Sequence, residues 1–440
     1  MFRFLKKLSP VRIIAMGFLF TILLGSLLLS LPFSIKEGVS LSYIDALYTS
    51  TSAVCVTGLC VVDAGTTFTP VGQTILALLI QVGGLGVSTI GVGIILAVGK
   101  KINLKGVNLI KEGSNLSSRK GLKKFVRDIF LTTIIIEFIG AILSFFVFIQ
   151  DMDFVSAFGV SLFHSIASFN NSGFDILGGI NASFKGQNLI PYQNNVLLNL
   201  TTSGLIILGG IGFLVISDLL KNKFKWKKLS MHTKVVLVMS GILLISGTLL
   251  LKLSEGNKIS WLGAFFFSVS ARTAGFSTYA LNSFSMAGLL VLIILMFIGA
   301  SPGSTGGGIK TTSFFAILQG IKSSATNKSE KAFNYSMPKD SFKKASVIAI
   351  LGVFIVLTAT FGVCLLEPHL RLIDVLLEIT SAFGTVGLST GITGSLSVGS
   401  KLISIITMYI GRLGPLTIAS LWHFTNRQTF SYPQGNISIG

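Results

Sequence analysis

The chain has 440 residues, of which 51% are hydrophobic and only 12% are charged, and its mean hydropathy is +0.79. About a quarter of the residues of a soluble globular protein are charged, so this composition excludes that class and predicts an integral membrane protein. The net charge of +19 does not indicate nucleic-acid binding, because 25 of the 35 lysines and arginines fall in four segments that alternate with pairs of apolar runs.

The four basic segments predict the orientation of the chain in the membrane. Lysine and arginine accumulate in cytoplasmic connections, so we expect these segments and both termini on the cytoplasmic side. Their side chains also suit contact with anionic membrane lipid. The segments are residues 1–12, 100–127, 221–234 and 322–344.

Eight apolar runs predict eight membrane-spanning helices. About 20 apolar residues are needed to cross the hydrocarbon as a helix, and runs of that length favour an all-α polytopic protein over a barrel. The runs fall near 11–32, 72–98, 129–150, 195–220, 235–253, 287–319, 345–366 and 401–424.

The first repeat, residues 1–99, carries a segment between its two spans that is too short to cross a membrane. This segment, IDALYTSTSAVCVTGL (44–59), ends in a small polar loop at Gly58. Irregular backbone at membrane depth is tolerated only where it lines a watery cavity or is buried in protein. We therefore expect a re-entrant pore helix followed by a loop that faces such a cavity.

The same unit recurs three times along the chain and predicts a pseudo-fourfold array. The four segments align on a glycine without a gap, and Gly58, Gly173, Gly275 and Gly387 are separated by 115, 102 and 112 residues. A period of that kind is an internal repeat. After the cytoplasmic connection 100–127 come repeat 2 (128–220, with GVSLFHSIASFNNSGF), the connection 221–233, repeat 3 (234–320, with WLGAFFFSVSARTAGF), the connection 321–342, repeat 4 (343–426, with IDVLLEITSAFGTVGL) and a cytoplasmic tail, 427–440.

The four glycine-centred loops predict an ion-selectivity filter. Loops of this kind can close around one axis, where their main-chain oxygens would replace the water around a monovalent cation without a charge that traps it. The alternative is four interfacial caps held by serine and threonine, which recurrence in all four repeats disfavours. The predicted filter residues are Val56, Thr57 and Gly58, then Asn171, Ser172 and Gly173, then Thr273, Ala274 and Gly275, then Thr385, Val386 and Gly387.

Repeat 3 also contains GSTGGGIKTTS (303–313), which interrupts its last apolar run. A phosphate-binding loop is excluded, because Ile309 separates the second glycine from the lysine where that motif needs them adjacent. We predict an intramembrane gating loop at 300–313 beneath the filter; the alternative is a helix break where packing is crowded. The predicted gate residues are Gly303, Ser304, Thr305, Gly306, Gly307, Gly308, Lys310 and Arg412.

Several charged residues in the apolar runs are candidates for special roles. Arg412 is costly at membrane depth, so we expect it to face the bundle interior and to form a barrier near the ion path, or else to serve packing. Lys310 either lies near the path or extends to the cytoplasmic face, and we favour the second. We expect Glu137 to be a buried partner for a neighbouring helix and Arg272 to brace the third loop from outside. The four histidines are scattered, which predicts no transition-metal site.

The motifs SAVCVTGL, ASFNNSGF, VSARTAGF and SAFGTVGL, with GASPGSTGGGIKTTSF, resemble the Trk/Ktr/HKT superfamily of potassium transporters, and most closely the bacterial Ktr transmembrane subunit. The resemblance implies a homodimer in the bacterial plasma membrane, seated on a cytosolic ring of nucleotide-binding regulatory subunits. It implies potassium as the transported ion, sodium as a candidate activator, and no cofactor. Asn170, Asn171 and Ser172 make the second loop more polar than the family's pattern, which puts strict potassium selectivity in doubt.

Other functions remain open at this point. A sodium-permeable or sodium-coupled cation transporter of the same fold is the nearest alternative. An alternating-access secondary transporter is less favoured, because such proteins place the substrate between inverted repeats whereas these repeats all run in the same direction. A membrane enzyme is not predicted, since the apolar runs lack a cluster of polar catalytic residues.

Overall fold

The computed structural model describes residues 9–420 except 88, 92–121, 181–183 and 339. The predicted tail at 427–440, residues 1–8 of the first basic segment and most of the connection at 100–127 lie outside the described residues. Elsewhere the chain folds almost entirely into helices, with a single short hairpin among the described residues.

The first part of the chain forms two longer helices of unequal length with two shorter helices between them. Ser9 caps α1, and its side chain accepts a hydrogen bond from the Arg12 amide at 3.4 Å. Thr69 caps α4 in the same way, and each of these two helices has proline in its first turn. Serine or threonine followed by proline is a favoured helix start. The helices are α1 (Pro10–Leu29), α2 (Tyr43–Val54), α3 (Ala64–Thr67) and α4 (Pro70–Leu85).

The second part has the same order but ends in a bent pair. Asp153 caps α6 through its carboxylate, which accepts hydrogen bonds from the Val155 and Ser156 amides at 3.1 Å each. The last two helices meet at 94° where Gly212 adopts a φ of 94°. The helices are α5 (Leu122–Phe148), α6 (Phe154–Phe169), α7 (Val196–Ile211) and α8 (Phe213–Lys221).

The third and fourth parts repeat this order with one insertion. In the third part a long loop separates the last two helices, and a two-residue hairpin, β1 (Lys331–Ala332) and β2 (Tyr335–Ser336), leads to the fourth part. The helices are α9 (Met231–Glu255), α10 (Trp261–Ser270), α11 (Met286–Phe297) and α12 (Thr311–Thr326), then α13 (Ser341–Leu366), α14 (Leu372–Gly384), α15 (Val398–Leu413) and α16 (Pro415–Ser420).

The break near the end of each part has the same backbone shape in three of the four. Gly86 after α4, Gly212 after α7 and Gly414 after α15 all have φ between 84° and 94° and ψ between 130° and 144°. That φ is open mainly to glycine. The third part instead leaves α11 at Ile298 and enters the loop that precedes α12.

By length and composition, four of the described helical segments can each cross a membrane, and the bent pair α7–α8 makes five if it is one span. In the first, third and fourth parts the second predicted span corresponds to a shorter helix. These helices, α4, α11 and α15, have 16, 12 and 16 residues because a glycine or the inserted loop ends them. The chain is therefore a multi-pass helical membrane protein, and eight spans stay a prediction. The four segments are Val11–Leu29, Lys124–Phe148, Met231–Lys258 and Ser341–Leu366.

The long helices present apolar side chains outward and small or polar ones inward. On α13, Ile350, Phe354 and Phe361 are 67%, 66% and 64% exposed, whereas Val356 and Thr360 are buried. A water-soluble helix has the opposite polarity. This distribution matches a protein whose outer surface contacts lipid.

The short helices α2, α6 and α10 pack into the long helix before them through a recurring glycine and serine contact. The Ser165 hydroxyl donates to the Glu137 carbonyl at 2.6 Å, and a β-carbon at Gly140 would lie 2.5 Å from that hydroxyl oxygen. Ser50 meets α1 and Ser268 meets α9 in the same way. This contact fixes the depth at which each short helix ends.

The third short helix is offset by one residue relative to its glycine. Ser50 and Ser165 precede Gly58 and Gly173 by eight residues, whereas Ser268 precedes Gly275 by seven. The gap-free alignment of the four segments therefore fits the loops but not the whole of α10.

Candidate functional site

Each short helix ends in a loop with the same unusual backbone. The residue two before the glycine has a positive φ in all four loops, with 51° at Val56, 58° at Asn171, 93° at Thr273 and 52° at Thr385. A left-handed conformation costs a residue with a β-carbon about 1–2 kcal/mol, and it is rarest for β-branched residues. Three of the four residues are β-branched, so the surrounding structure must hold the loops in this shape.

Hydrogen bonds within each segment hold these loops. The Thr57, Ser172 and Val386 amides donate to the carbonyl five residues earlier, at 2.7, 2.9 and 2.9 Å. The next amide, at Gly58 and Gly387, donates to the side chain of Ser52 and Ser381 at 3.0 and 2.9 Å. Because these amides are satisfied internally, the loop carbonyls are the polar groups left to meet a ligand.

The four loops close into a ring through their glycines. A β-carbon at Gly58 would lie 2.1 Å from the Ser172 carbonyl oxygen, and one at Gly173 would lie 2.5 Å from that of Ala274. One at Gly275 would lie 2.1 Å from the Val386 oxygen, and one at Gly387 would lie 2.3 Å from the Thr57 oxygen. Each loop thus touches the next, and the fourth touches the first. Eleven of the twelve residues predicted for the filter are buried, and the twelfth, Gly387, is partly exposed.

The ring is electrically suited to a cation that carries a single charge. None of its twelve residues has a charged side chain, so main-chain oxygen dipoles dominate. The C-terminal ends of α2, α6, α10 and α14 all meet the ring, and each brings the partial negative charge of a helix end. Such an arrangement attracts a monovalent cation and lets it leave.

The loop between α11 and α12 presses against one side of the ring. The Gly307 amide donates to the Thr385 hydroxyl at 2.9 Å, and a β-carbon at Gly306 would lie 2.2 Å from the Thr273 hydroxyl oxygen. The Thr305 hydroxyl donates to the Phe169 carbonyl at 3.3 Å, at the end of α6. Residues predicted for the gate therefore touch the third and fourth filter loops.

The base of this loop is closed by its own contacts. Ile298 and Ile309 form a parallel β-bridge, and the Ser301 and Thr311 hydroxyl oxygens lie 2.9 Å apart. The two ends of the loop therefore adjoin, as they do in compact loops packed by their own side chains.

Arg412 ties the loop to the rest of the bundle. Its guanidinium donates to the Thr305 carbonyl and to the Gly83 carbonyl at the end of α4, and also to the Gly84 carbonyl at 3.3 Å. No salt bridge to Arg412 or to Lys310 occurs among the described residues, so carbonyl oxygens are their hydrogen-bond acceptors there. Neither side chain therefore has a carboxylate partner among the described residues.

The expectation that Lys310 extends to the cytoplasmic face is wrong. Its ammonium group turns back and donates to the Gly306 and Gly307 carbonyls at 2.7 and 3.3 Å. Carbonyls three and four residues away offer a short route to saturating the ammonium without leaving the protein interior. Arg272, which directly precedes the third loop, donates to the Ser240 hydroxyl on α9 at 3.3 Å.

A polar cluster supports the second loop from behind. The Asn170 amide donates to Gln81 on α4 at 2.7 Å and to the carboxylate of Glu137 on α5 at 3.0 Å. Glu137 is 7% exposed and also accepts from Gln81 at 3.4 Å. The sequence pointed to Glu137 because a carboxylate is rare in such a run, but Gln81 is 56 residues away and carried no signal.

Replacing Glu137 by leucine is expected to destabilise the protein by about 1–3 kcal/mol, because Asn170 and Gln81 lose a buried acceptor. Replacement by glutamine retains an acceptor and should cost less. Thr133→Val is the matched control, since that buried hydroxyl on the same helix has no hydrogen-bond partner among the described residues. The check is the temperature at which detergent-solubilised protein loses its monodisperse gel-filtration peak. A loss in T133V equal to that in E137L would contradict the role of the cluster.

The chain is similar along its length to known transport proteins. The family model described as TrkH, a cation transport protein, matches residues 16–253 and 233–430. The chain is 37% identical to Ktr system potassium uptake protein B of Bacillus subtilis (strain 168), over 99% of this chain and 97% of that one. It is 36% identical to potassium/sodium uptake protein NtpJ of Enterococcus hirae, over 99% and 98%.

A solved structure shares the fold. The crystal structure of the potassium transporter TrkH from Vibrio parahaemolyticus superposes with a TM-score of 0.69, covering 92% of this chain and 86% of that one. The two sequences are 18% identical, so this likeness speaks for the fold alone.

Proposed function

Because this chain belongs to the TrkH family of cation transport proteins, we propose that it takes up potassium across the bacterial plasma membrane as the channel-like pore subunit of a Ktr-type system. The family match confirms the predicted resemblance and the prediction of a transporter rather than an enzyme. The observation that carries the proposal is the closed ring of four loops, in which each glycine lies against a carbonyl of the next loop.

The twelve ring residues act as the selectivity filter in this proposal. A dehydrated potassium ion needs several oxygens at once, and four equivalent loops supply them without a formal charge. A carbonyl ring held rigidly from behind resists the closer approach that sodium would require. Selectivity then depends on how rigidly the loops are held. The buried hydrogen bonds of Asn170 with Gln81 and Glu137 would contribute to selectivity in this way.

The loop between α11 and α12 acts as the gate. It contacts Thr273 and Thr385 of the ring, and Arg412 and Lys310 donate to its carbonyls. Basic side chains at Arg412 and Lys310, which have no carboxylate partner among the described residues, raise the electrostatic barrier to a passing cation. Opening requires the loop to move away and Arg412 to release Thr305, and the glycines at 303 and 306–308 make such a change of backbone inexpensive.

We propose the partners that the Ktr resemblance implies, namely a second copy of this chain and a cytosolic ring of nucleotide-binding subunits. The name of the Bacillus relative refers to a Ktr system. Exposed lysines between α8 and α9, including Lys223, Lys225 and Lys227, offer a basic surface for an acidic partner or for lipid headgroups. We also propose that the chain is built of four repeats, 1–99, 128–220, 234–320 and 343–426, and that both of its termini are cytoplasmic.

A second function rests on a specific observation. The Enterococcus relative is named a potassium/sodium uptake protein, and the polar second loop of this chain contains Asn170, Asn171 and Ser172. Sodium could therefore permeate, couple to transport, or activate it. Alternating access is less supported, because four loops closed around one axis suit a pore better than a site between two rocking halves.

Expression in a bacterium that lacks its own potassium uptake systems tests the function. Growth in low potassium should be restored, and initial rates of potassium entry should saturate with external potassium. Sodium is varied in parallel: uptake without sodium supports a passive pore, and a strict requirement for sodium supports coupling or activation. No gain in potassium entry over cells with an empty vector, with the protein present in the membrane, would contradict the proposal.

A further inference from the structure

The connection between the second loop and α7 is hydrogen-bonded to the ring through Asn188. The side-chain amide of Asn188 donates to the carbonyl of Gly173 at 3.2 Å and to the carboxylate of Asp175 at 2.9 Å. Gly173 is one of the twelve ring residues. Asn188 thus holds a ring carbonyl directly, 15 residues further along the chain.

The same side chain also holds the exit of the third loop. Its carbonyl oxygen accepts hydrogen bonds from the Ser277 amide at 3.1 Å and from the Leu189 amide at 3.0 Å. The Leu189 amide also donates to the Ser277 carbonyl at 3.1 Å. Ser277 lies two residues beyond Gly275, so one asparagine connects two neighbouring loops of the ring.

The backbone at this position favours asparagine. Asn188 has a φ of 51°, and asparagine tolerates the left-handed region better than most residues. The flanking segment is anchored, since Leu189 and Tyr192 are 1% and 6% exposed and the Tyr192 hydroxyl donates to Asp151 at 3.0 Å. Asn188 is therefore presented to the ring by a fixed segment.

A further contact joins this segment to the first loop. The Gly186 amide donates at 2.8 Å to the carboxylate of Asp63, which follows the first loop and caps α3. The connection thus contacts the exits of three of the four loops, and Asn188 alone of its described residues has a side-chain hydrogen bond to a carbonyl of the ring.

We propose that Asn188 is a positioning residue that sets the ion preference of the ring by fixing the direction of the Gly173 carbonyl and tying the second loop to the third. This inference rests on the proposed function, since it concerns the same ring. A carbonyl that accepts a hydrogen bond from outside cannot rotate freely toward a smaller ion. The second loop has the most polar sequence of the four, and Asn188 adds a second restraint on it to the one that Gln81 and Glu137 supply through Asn170.

Two substitutions separate the donor of Asn188 from its other contacts. Asn188→Asp retains the oxygen that accepts from Ser277 and Leu189 but loses the donor and places a carboxylate beside Asp175. Asn188→Gly retains the left-handed backbone and loses every side-chain contact. If only the fold of the connection matters, N188D should resemble the unaltered protein. If the donor to Gly173 matters, both variants should lose selectivity.

The readout is the ratio of initial potassium to sodium uptake in cells, with each rate divided by the amount of protein in the membrane. We expect this ratio to fall by about tenfold in N188D and in N188G, the range of effect of one hydrogen bond to a buried group. The double variant D175N/N188D removes the repulsion between two carboxylates but does not restore the missing donor. The amount of protein in the membrane should therefore recover, whereas the ratio of potassium to sodium uptake should not.

Asn327 supplies the matched control, because it also has a φ of 51° and ends α12, in contact with Ser323 and not with the ring. N327D and N327G should leave the ratio unchanged. An unchanged ratio in N188G and D175N/N188D, with potassium uptake intact in the unaltered protein, overturns this inference alone. Absence of potassium uptake by the unaltered protein overturns the proposed function and this inference with it. If N188D does not reach the membrane, N188G, which adds no charge, decides the question.

Discussion

Serine in place of Gly387 is expected to lower the ratio of potassium to sodium uptake by about tenfold or more, which corresponds to about 1.4 kcal/mol of lost discrimination. A β-carbon there would lie 2.3 Å from the Thr57 carbonyl oxygen, so the fourth loop, the first loop or both must shift. The φ of 102° adds strain for any residue with a β-carbon. Displaced carbonyls would coordinate sodium about as well as potassium, so the ring would no longer favour potassium.

The control for this variant is four residues away. Gly391 has a φ of 100°, almost the same as Gly387, but a β-carbon there meets nothing within 4 Å. G391S therefore imposes similar backbone strain without a clash and should leave the ratio unchanged. Serine at Gly58, Gly173 and Gly275 should act like G387S. Equal ratios in all four ring variants and in G391S would contradict the filter assignment.

Deletion of residues 304–308 is expected to raise the initial rate of potassium entry by about tenfold. The deletion removes the Arg412 bond to Thr305 and the Gly307 bond to Thr385, each worth about 1 kcal/mol in holding the loop under the ring. The measurement is rubidium or potassium influx per molecule of protein in the membrane. An unchanged or lower rate would favour the alternative in which this loop is only a break in crowded packing.

Arg412→Gln tests the same gate without shortening the chain. A glutamine cannot span from Thr305 to Gly83, so the rate of potassium entry should rise. The increase should not add to that of the deletion, because both changes remove the same contact between residue 412 and Thr305. R127Q is the control, since Arg127 pairs with Asp128 at 3.6 Å on an exposed surface. Additive increases in the double variant would indicate that Arg412 acts independently of the loop.

Much of the ring could be predicted from sequence because the chain contains the same unit four times. A single glycine after a short apolar segment is uninformative, but four in register fix which residues must lie together. The structure places each of the four glycines against a carbonyl of the next loop, at positions of positive φ. Their role in selectivity remains a prediction.

What the sequence could not supply are contacts between residues far apart in the chain. Gln81 meets Glu137 and Asn170, and Asn188 reaches Ser277 across 89 residues, because helix packing and a folded connection bring them together. No local pattern encodes such a meeting. The direction of the Lys310 side chain was misjudged for a related reason: the folded loop places the Gly306 carbonyl 2.7 Å from the ammonium.

The end of each part of the chain was also harder to predict than its beginning. Hydropathy gave a continuous run near 195–220, whereas the chain bends at Gly212. The run near 287–319 breaks after Ile298, where GSTGGGIKTTS had predicted an interruption. Apolar composition continues through the bend because Ile211 and Phe213, on either side of Gly212, are both apolar. Span number therefore cannot be read from run length alone.

Diffraction from crystals soaked in rubidium or thallium salts tests the central claim most directly, since these ions mimic potassium and give anomalous signals. The account predicts anomalous density on the axis of the ring, equidistant from the Thr57, Ser172, Ala274 and Val386 carbonyls. Density at another place in the bundle, with none on this axis, would contradict it.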